Sequence, residues 1–247
     1  MVNMRKIVVD YDHSKNIHST TGAEKGFNLI FSDYLPTPSS LIDIGCGAGF
    51  WLAAAAAHGV PKIQGVDGIQ AKHLMIDEKY ILITDLSEDY SNFFSEKYSV
   101  ALCLEVAEHI DETNATNFIK NLVDLSDTIV FSAAIPGQPG QHHVNLQWPA
   151  YWQAKFNEYG FFCDDSIRWK IWNELDIEPW YRNNIFIARK CQIKAGKEPR
   201  LLPVIHPQMM QYLVPTYYQK MLNERGISIK SATRMFLNIC SSLINRK

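Results

Sequence analysis

The stretch Leu41-Ile-Asp-Ile-Gly-Cys-Gly-Ala-Gly-Phe50 decides the fold, because an apolar run ends there in three glycines at alternate positions. The apolar residues suit a buried parallel strand, and the alanine-rich run from Trp51 to His58 is a strong helix former. We therefore predict a strand, a glycine turn and a helix in succession. Glycine permits positive φ and close backbone approach, so the N–H groups at the helix start would form a cradle for a polar ligand. This cradle predicts a nucleotide-like cofactor.

The spacing of the glycines distinguishes between nucleotide cofactors. A dinucleotide fingerprint needs Gly-x-Gly-x-x-Gly, and Phe50 stands where its last glycine would fall, which disfavours a nicotinamide dehydrogenase. With Asp43 two residues before the first glycine, the stretch resembles motif I of class I S-adenosylmethionine (SAM) methyltransferases. The resemblance implies SAM as cofactor and an α/β fold with a Rossmann-like, seven-stranded, mainly parallel sheet. It also implies that the methionine end of SAM is held by Asp43, Gly45, Cys46, Gly47 and Gly49.

Length and composition restrict the function classes. A chain of 247 residues fits one α/β domain with appendages. With 24 basic and 26 acidic residues the net charge is −2, which argues against a nucleic-acid partner and for a small-molecule one. The five cysteines are scattered and include no CxxC spacing, which favours a reducing, cytoplasmic location without a zinc site. No apolar run approaches the roughly 20 residues of a membrane span, and the N-terminus lacks a signal-peptide core.

The order of the predicted elements suggests three parts. These are an N-terminal cap segment with a helix (1–37), a SAM-binding methyltransferase domain (38–190), and a basic linker with C-terminal helices (191–247). We predict helices over 22–35, 149–160, 209–222 and 229–244, further strands over 62–66, 81–84, 98–104 and 128–131, and two closing antiparallel strands over 161–169 and 184–189. The last helix is amphipathic, so it could dock on the body of the protein, on a twin subunit in a homo-oligomer, or weakly on a membrane surface.

Acids at the ends of the predicted second and third strands are candidates for holding the rest of the cofactor. Asp67, followed by Gly68, lies 22 residues after Gly45, the distance that one strand-helix-strand step requires, and we assign it to the ribose hydroxyls. The family resemblance suggests that Asp85 bonds the adenine amino group, with Leu86 against the ring; the alternative is that Asp85 caps a helix beginning near Glu88. Ahead of the first helix, Tyr11, His13 and His18 either line the site or belong to a solvated arm.

Chemistry-bearing side chains follow the fourth and fifth strands. The fourth strand leads into Glu105, Glu108 and His109, which would share one face if the segment turned once as a helix. A long polar loop, 132–148, follows the fifth strand, and loops of that length in a compact domain are usually functional. Parallel sheets place ligands at the carboxyl ends of their strands, so we expect both segments at the site.

Two motifs in these segments resemble a group of bacterial class I methyltransferases that accompany glycan machinery. The motifs are Glu-Val-Ala-Glu-His at 105–109 and Ser-Ala-Ala-Ile-Pro-Gly-Gln at 132–138, the latter leading to His143-Val-Asn-Leu-Gln-Trp148. The resemblance implies O-methylation of a small-molecule hydroxyl, with a sugar or glycan as acceptor. Two positions depart from the group's pattern, His142 where glycine is expected and Leu146 where an acid is expected.

The first of these motifs also resembles the metal site of small-RNA 2′-O-methyltransferases. That resemblance implies Mg²⁺ or Mn²⁺ held by Glu105, Glu108, His109 and His143, with a substrate diol on the cation. Without a metal, His143 or His142 becomes the general base, with Asn145 to orient it, and Glu105 only orients the cofactor. The acceptor could then be a different hydroxyl or a nitrogen. A SAM-binding module without catalytic activity is the alternative from another function class.

The tryptophans are concentrated beyond the fifth strand. Five of the six fall within 33 residues, at positions 148, 152, 169, 172 and 180. Such a cluster is typical either of an aromatic wall against a flat substrate or of a packed interior. The sequence leaves both interpretations open.

Overall fold

A seven-stranded sheet forms the centre of the computed structural model, which describes residues 11–13 and 19–224. Its spatial order is β3-β2-β1-β4-β5-β7-β6, and all pairings are parallel except those of β7 with β5 and β6. This is the predicted α/β methyltransferase-type sheet. The strands are β1 Ser40–Ile44, β2 Lys62–Asp67, β3 Ile81–Ile83, β4 Val100–Leu104, β5 Thr128–Ser132, β6 Phe161–Asp164 and β7 Phe186–Lys190.

Helices cover both faces of the sheet. The first, α1, continues without a break as a π-helical segment over Leu29–Tyr34, so the helix predicted over 22–35 is confirmed with a slightly earlier start. Ser19 caps it, because its hydroxyl accepts the N–H of Gly22. The helices are α1 Thr20–Asn28, α2 Phe50–Ala57, α3 Ala115–Leu125, α4 Pro149–Glu158, α5 Ser166–Ile171, α6 Pro179–Asn184 and α7 Met210–Glu224.

The register of β1 with its two neighbours places the loops that follow β1, β2 and β4 at one edge of the sheet. Ile44, the last residue of β1, pairs with Val66 of β2 and with Cys103 of β4. The carboxyl ends of these three strands therefore lie level with one another. The strand order also reverses between β1 and β4, which is the position where open α/β sheets bind their ligands.

An aromatic cluster fills one side of the sheet. The ring of Phe131, fully buried on β5, lies 5.6, 5.3 and 5.2 Å from the rings of Trp152, Phe156 and Phe186. Trp152 is therefore interior, whereas Trp169 is 54% exposed, so the tryptophans do not form one wall. On the opposite side, α1 and α2 pack against the sheet through residues such as Phe27 and Trp51.

Two predictions for the C-terminal third need comment. The strand predicted over 161–169 is confirmed only as far as Asp164. Beyond it the prediction is wrong, because the Asp164 carboxylate accepts the N–H of Ser166, where α5 begins. The helix predicted over 209–222 is confirmed as α7, whereas the one predicted over 229–244 lies outside the described residues. Within the described ranges, no helix combines the length and the apolar character that crossing a membrane requires.

Replacing Phe131 by alanine should destabilise the protein by about 3–5 kcal/mol, because it removes a buried aromatic side chain and leaves a cavity among three rings. Urea unfolding followed by circular dichroism measures this. The control is Phe93→Ala, whose side chain is 64% exposed and whose loss should change the free energy of unfolding by less than about 0.5 kcal/mol. Equal effects of the two substitutions would contradict the described core.

Candidate active site

The glycine turn after β1 has the backbone conformation that its sequence predicts. Gly45, Gly47 and Gly49 have φ of 76°, 53° and 83°, all in the left-handed region. A Cβ on Gly45 would lie 2.2 Å from Cγ2 of Val106, so the turn can approach the segment after β4 only as glycine. The side chain of Cys46 is directed to Gly65 of β2, where a Cβ would lie 2.7 Å from its sulfur. Cys46 thus contributes backbone to the turn and its side chain to the core.

Asp67 joins this turn to the end of β2. Its Oδ2 accepts the N–H of Gly47 at 2.7 Å and its Oδ1 accepts the N–H of Ile69 at 2.9 Å. Each carboxylate oxygen keeps a second lone pair, so ribose hydroxyls can still donate to Asp67. Among the described residues other than its two chain neighbours, a Cβ on the adjacent Gly68 would have one atom within 4 Å, the Thr84 carbonyl oxygen at 3.9 Å, so space remains beside Asp67. These residues fit the ribose of a nucleoside cofactor.

Asp43 lies beneath the turn and is buried in β1. Burial, reinforced by the nearby Asp67 carboxylate, raises the pKa of Asp43 to about 8. A buried carboxyl group at this position favours a positively charged ligand close to the turn, because a cation would offset the cost of ionising it.

A short N-terminal segment, Tyr11 to His13, bridges the two halves of the site. His13 Nε2 lies 3.1 Å from the carbonyl oxygen of Ile69 and 3.5 Å from Oδ1 of Asp67. Burial alone would lower the pKa of His13, but hydrogen bonding and charge attraction from Asp67 raise it overall. The ring of Tyr11 contacts the rings of His13 and His109, with centroids 5.1 and 5.2 Å away. Tyr11 and His13 therefore line the site, as one of the two interpretations predicts; His18 lies outside the described residues.

Asp85 behaves differently from the other acids. Its Oδ1 accepts the N–H and the hydroxyl of Ser87, at 3.0 and 2.6 Å, so it closes a local turn. The alternative prediction of a helix beginning near Glu88 is wrong, because this described segment forms only a turn. Leu86 is buried after β3. The adenine role of both residues stays a prediction.

Glu105 does not share a face with Glu108 and His109. Its φ of 58° reverses the chain directly after β4, and a single helical turn, Ala107–His109, begins only afterwards. The Glu105 carboxylate accepts hydrogen bonds from Nε2 of Gln138 at 2.7 Å and Nδ2 of Asn184 at 3.0 Å. Burial raises the pKa of Glu105, and these two amides oppose that rise. The prediction that Glu105 belongs to one cation-binding group with the other three residues is therefore wrong in its geometry.

Glu108, His109 and His143 do come together. Each offers one ligand atom, and these atoms lie within 4.8 Å of one another. Oε1 of Glu108 is 3.9 Å from Nε2 of His143, and Oε2 is buried with no hydrogen-bond partner among the described residues. Burial, and then the charge of Glu105, raises the pKa of Glu108 well above its ordinary value. We call these three residues the Glu-His-His group.

Backbone carbonyls select the tautomers of both histidines. Nδ1 of His143 lies 3.1 Å from the carbonyl oxygen of Gln138, and Nδ1 of His109 lies 3.3 Å from that of His142. A carbonyl oxygen only accepts, so each Nδ1 carries the proton and each Nε2 keeps its lone pair. Burial lowers the pKa of both rings, that of His109 to about 4 with a further contribution from His143. Both imidazoles are therefore neutral near pH 7 and can accept a proton or a cation at Nε2.

The loop after β5 is attached to the segment after β4 by backbone hydrogen bonds. The N–H groups of Val144 and Asn145 both donate to the carbonyl oxygen of Glu108, at 2.9 and 3.0 Å. His142 has φ of 51°, which explains why a glycine is expected at this position in the group that the motif resembles. Asn145 accepts a hydrogen bond from Gln147, while its buried Nδ2 has no partner within the described part of the chain. An unpartnered buried donor beside the Glu-His-His group is available to a ligand.

Sequence reasoning missed three residues that shape the site. Gln138 and Asn184 hold Glu105, and Gly140 makes room for His143, since a Cβ there would lie 2.0 Å from Nε2 of that ring. The Ile-Pro-Gly-Gln turn was a signal for Gln138, because it predicts a fixed loop. Asn184 gives no such signal, since it lies about 80 residues away from Glu105 at the end of α6.

Comparisons with known proteins identify the family to which this chain belongs. A family model described as a methyltransferase domain matches residues 23–170. Among solved structures, the chain is similar to magnesium protoporphyrin IX methyltransferase from Synechocystis PCC 6803 with bound S-adenosylhomocysteine, at 17% identity over 69% of this chain and 83% of that chain, with a TM-score of 0.48. A 1,6-didemethyltoxoflavin N1-methyltransferase from Burkholderia thailandensis has 15% identity over 69% and 79%, with a TM-score of 0.48. A SAM-dependent methyltransferase from Archaeoglobus fulgidus has 16% identity over 68% and 94%, with a TM-score of 0.47. A search of curated protein sequences finds no match.

The raised pKa of Asp43 predicts a pH-dependent stability difference. Because the folded-state pKa lies above the unfolded value of 3.8, the contribution of Asp43 to stability is fully present below pH 3.8 and is lost as the pH rises toward about 8. We expect Asp43→Asn to gain stability relative to the wild type across that window. Thermal unfolding of both proteins at pH 5, 6.5 and 8 measures this. A difference that does not change with pH would contradict the assigned pKa.

Proposed function

Because this chain belongs to the family of methyltransferase domains whose model matches residues 23–170, we propose that it transfers the methyl group of SAM to a hydroxyl of a small molecule. The observation that carries the proposal is the convergence of the Glu-His-His group at the sheet edge that also carries the glycine turn. Such a group is suited to removing the proton from an acceptor, and the turn is suited to holding the donor.

The cofactor half of the proposal assigns roles to residues at the carboxyl ends of β1, β2 and β4. Asp67 accepts the ribose hydroxyls, and the turn from Gly45 to Gly49 accommodates the methionine part. Asp43 and Glu105 are buried carboxyl groups near that part; the positive charge of the cofactor would offset the cost of ionising Asp43, and Glu105 orients the methionine part. The bound cofactor supplies an electrophilic methyl group on a sulfonium. The chain's own contribution is to hold an acceptor oxygen in line with that methyl group, which lowers the barrier by proximity.

We propose that the Glu-His-His group binds a divalent cation, Mg²⁺ or Mn²⁺, together with an acceptor that presents two neighbouring hydroxyls. Three observations support this: the unpartnered Oε2 of Glu108, the free Nε2 lone pairs of the two neutral histidines, and backbone carbonyls that fix both rings. The carboxylate is a ligand type that Mg²⁺ and Mn²⁺ both prefer, and the two imidazoles favour the transition metal Mn²⁺ over Mg²⁺, which takes oxygen ligands. The bound cation would lower the pKa of a coordinated hydroxyl. Glu105 is not a ligand in this proposal, because among the described residues only Glu108, His109 and His143 bring their ligand atoms within 4.8 Å of one another at this site.

A second candidate mechanism uses His143 as the general base without a metal. It is favoured by the hydrogen bond from Nδ1 to Gln138, which leaves Nε2 free to accept the acceptor's proton. The unpartnered amide of Asn145 would then orient the acceptor. This mechanism accommodates hydroxyls without a neighbouring hydroxyl, and nitrogen acceptors.

Replacing Asp67 by alanine should weaken binding of S-adenosylhomocysteine about tenfold or more, since a hydrogen bond to a charged group contributes about 1.5–3 kcal/mol. Isothermal titration calorimetry measures the affinity. The matched control is Asp124→Ala, an aspartate whose salt bridge with Lys120 lies on the exposed surface of α3 and whose loss should leave binding unchanged. Unchanged affinity in the Asp67 variant would remove the ribose role.

Titrating Mn²⁺ into protein saturated with S-adenosylhomocysteine tests the cation site. We expect the wild type to bind and both His143→Ala and Glu108→Gln to lose binding, whereas His73→Ala, with an exposed histidine, should bind like the wild type. A wild type that binds no Mn²⁺ would contradict the cation site and favour His143 as base.

Transfer of labelled methyl from SAM to a panel of sugars, catechols and amines then identifies the acceptor class. Tight cofactor binding without any transfer would contradict the enzymatic proposal.

A further inference from the structure

A chain of buried amides runs from the C-terminal part of the protein to the Glu-His-His group. The N–H of His206 donates to Oδ1 of Asn183 at 2.6 Å, and Nδ2 of Asn183 donates to Oδ1 of Asn184 at 2.6 Å. Nδ2 of Asn184 then donates to Oε1 of Glu105 and to Oε1 of Gln138, both at 3.0 Å. Asn183, Asn184 and Gln138 are at most 8% exposed. We call this series the amide relay.

The partners in the amide relay allow only one orientation of Gln138. The Glu105 carboxylate only accepts, so Nε2 of Gln138 must face it, and Oε1 must then face the donating amide of Asn184. Reversing the Gln138 amide would place oxygen against carboxylate oxygen and nitrogen against nitrogen. In a buried environment both contacts are costly, so the orientation is strongly specified.

The backbone of Gln138 is fixed as firmly as its side chain. It is the last residue of a turn with Pro136 and Gly137 at its centre, and its N–H donates to the carbonyl oxygen of Ile135 at 3.0 Å. Gly137 has φ of 91°, as the third residue of a type II turn requires. Oε1 of Gln138 also accepts the N–H of Ile135 at 3.4 Å, so the side chain folds back onto its own turn. The turn therefore fixes the N–H side of Gln138, and the contacts of its side chain hold the residue on the other side of Cα, where its carbonyl begins.

That carbonyl accepts the Nδ1 proton of His143 at 3.1 Å. We propose that Gln138 is a positioning residue, whose side-chain amide, held between Glu105 and Asn184, orients its own carbonyl so that His143 keeps its proton on Nδ1 and presents Nε2 to Glu108. Its effect on methyl transfer rests on the proposed function above. Its effect on the tautomer of His143 does not, because it depends only on the hydrogen bonds just described.

The amide relay also gives the C-terminal part a role in the site. His206 is held by Trp172, whose carbonyl oxygen lies 2.8 Å from its Nε2, and Arg182 of α6 donates to the same carbonyl and to Gln208. Residues 206–208 thus anchor α6, the helix that ends at Asn184. The segment beyond β7 therefore supports the position of Glu105 and, through Gln138, that of His143.

The test is the substitution Gln138→Met, which keeps the length of the side chain and removes its hydrogen bonds. In protein labelled with ¹⁵N on histidine, we expect the ring nitrogens of His143 to report a single Nδ1–H tautomer in the wild type and a shift toward the Nε2–H tautomer in the variant. Methyl transfer should fall about 10- to 100-fold in kcat, the usual effect of losing a partner that orients a functional histidine. The KM for SAM should change far less than kcat, because the ribose and turn contacts are untouched and Asn184 still donates to Glu105.

The matched control is Gln153→Met. Gln153 is a buried glutamine of α4 whose amide donates to the Pro199 carbonyl at 3.0 Å and accepts the N–H of Leu201 at 2.8 Å, with no link to His143. It should lose comparable stability but leave the tautomer and kcat unchanged. If Gln138→Met does not fold, Asn183→Asp, which removes the donor to Asn184 but keeps its shape, should cause a smaller shift of the same sign.

The outcomes of these experiments distinguish a failure of the positioning role from a failure of the proposed function. A folded Gln138→Met protein with an unchanged His143 tautomer would overturn the positioning role, and so would an equal tautomer shift in Gln153→Met. A shifted tautomer in a protein that transfers no methyl group even as wild type would support the positioning role and refute the proposed function.

Discussion

The contact between Gly45 and Val106 is the constraint on which the site depends. Because Gly45 has no Cβ, the Val106 side chain can lie against the turn after β1 at a distance that any other residue would block. This contact joins the segment that carries Asp43 to the segment that carries Glu105, Glu108 and His109. The parallel register of β1 and β4 brings the two segments level, and the glycine lets them touch. The donor and acceptor halves of the site are therefore built from one packed unit.

The sheet edge concentrates buried carboxyl groups, and the structure compensates them unequally. Glu105 receives two side-chain amides, whereas one oxygen of Glu108 has no partner among the described residues, and the pKa of Asp43 is raised by burial. Burying such groups without partners is costly, and sites that carry this cost are commonly functional. A cofactor with a positively charged sulfur, and a cation at Glu108, would both reduce it. The electrostatics thus agree with the proposed chemistry.

Local patterns were sufficient for most of the helices and strands and for the glycine turn. The alternation of glycines after an apolar run predicts the β1 turn, and the spacing from Gly45 predicts Asp67 at the end of β2, where the structure places it. Both features depend on residues that are close in sequence. The prediction failed where a helical spacing was assumed for Glu105, because its left-handed φ reverses the chain there. It also failed beyond Asp164, where a side chain capping the next turn ends the strand.

The sequence by itself determined the type of sheet, the glycine turn and the identity of the acids and histidines that follow the strands, since periodicity and turn chemistry are local properties. Only the tertiary structure decided which of those side chains meet. It separated Glu105 from the Glu-His-His group and linked it to Asn184, about 80 residues away, and it brought the Gln138 carbonyl to His143. Such pairings depend on how long-range packing satisfies buried polar groups, and no single segment of the chain contains that information.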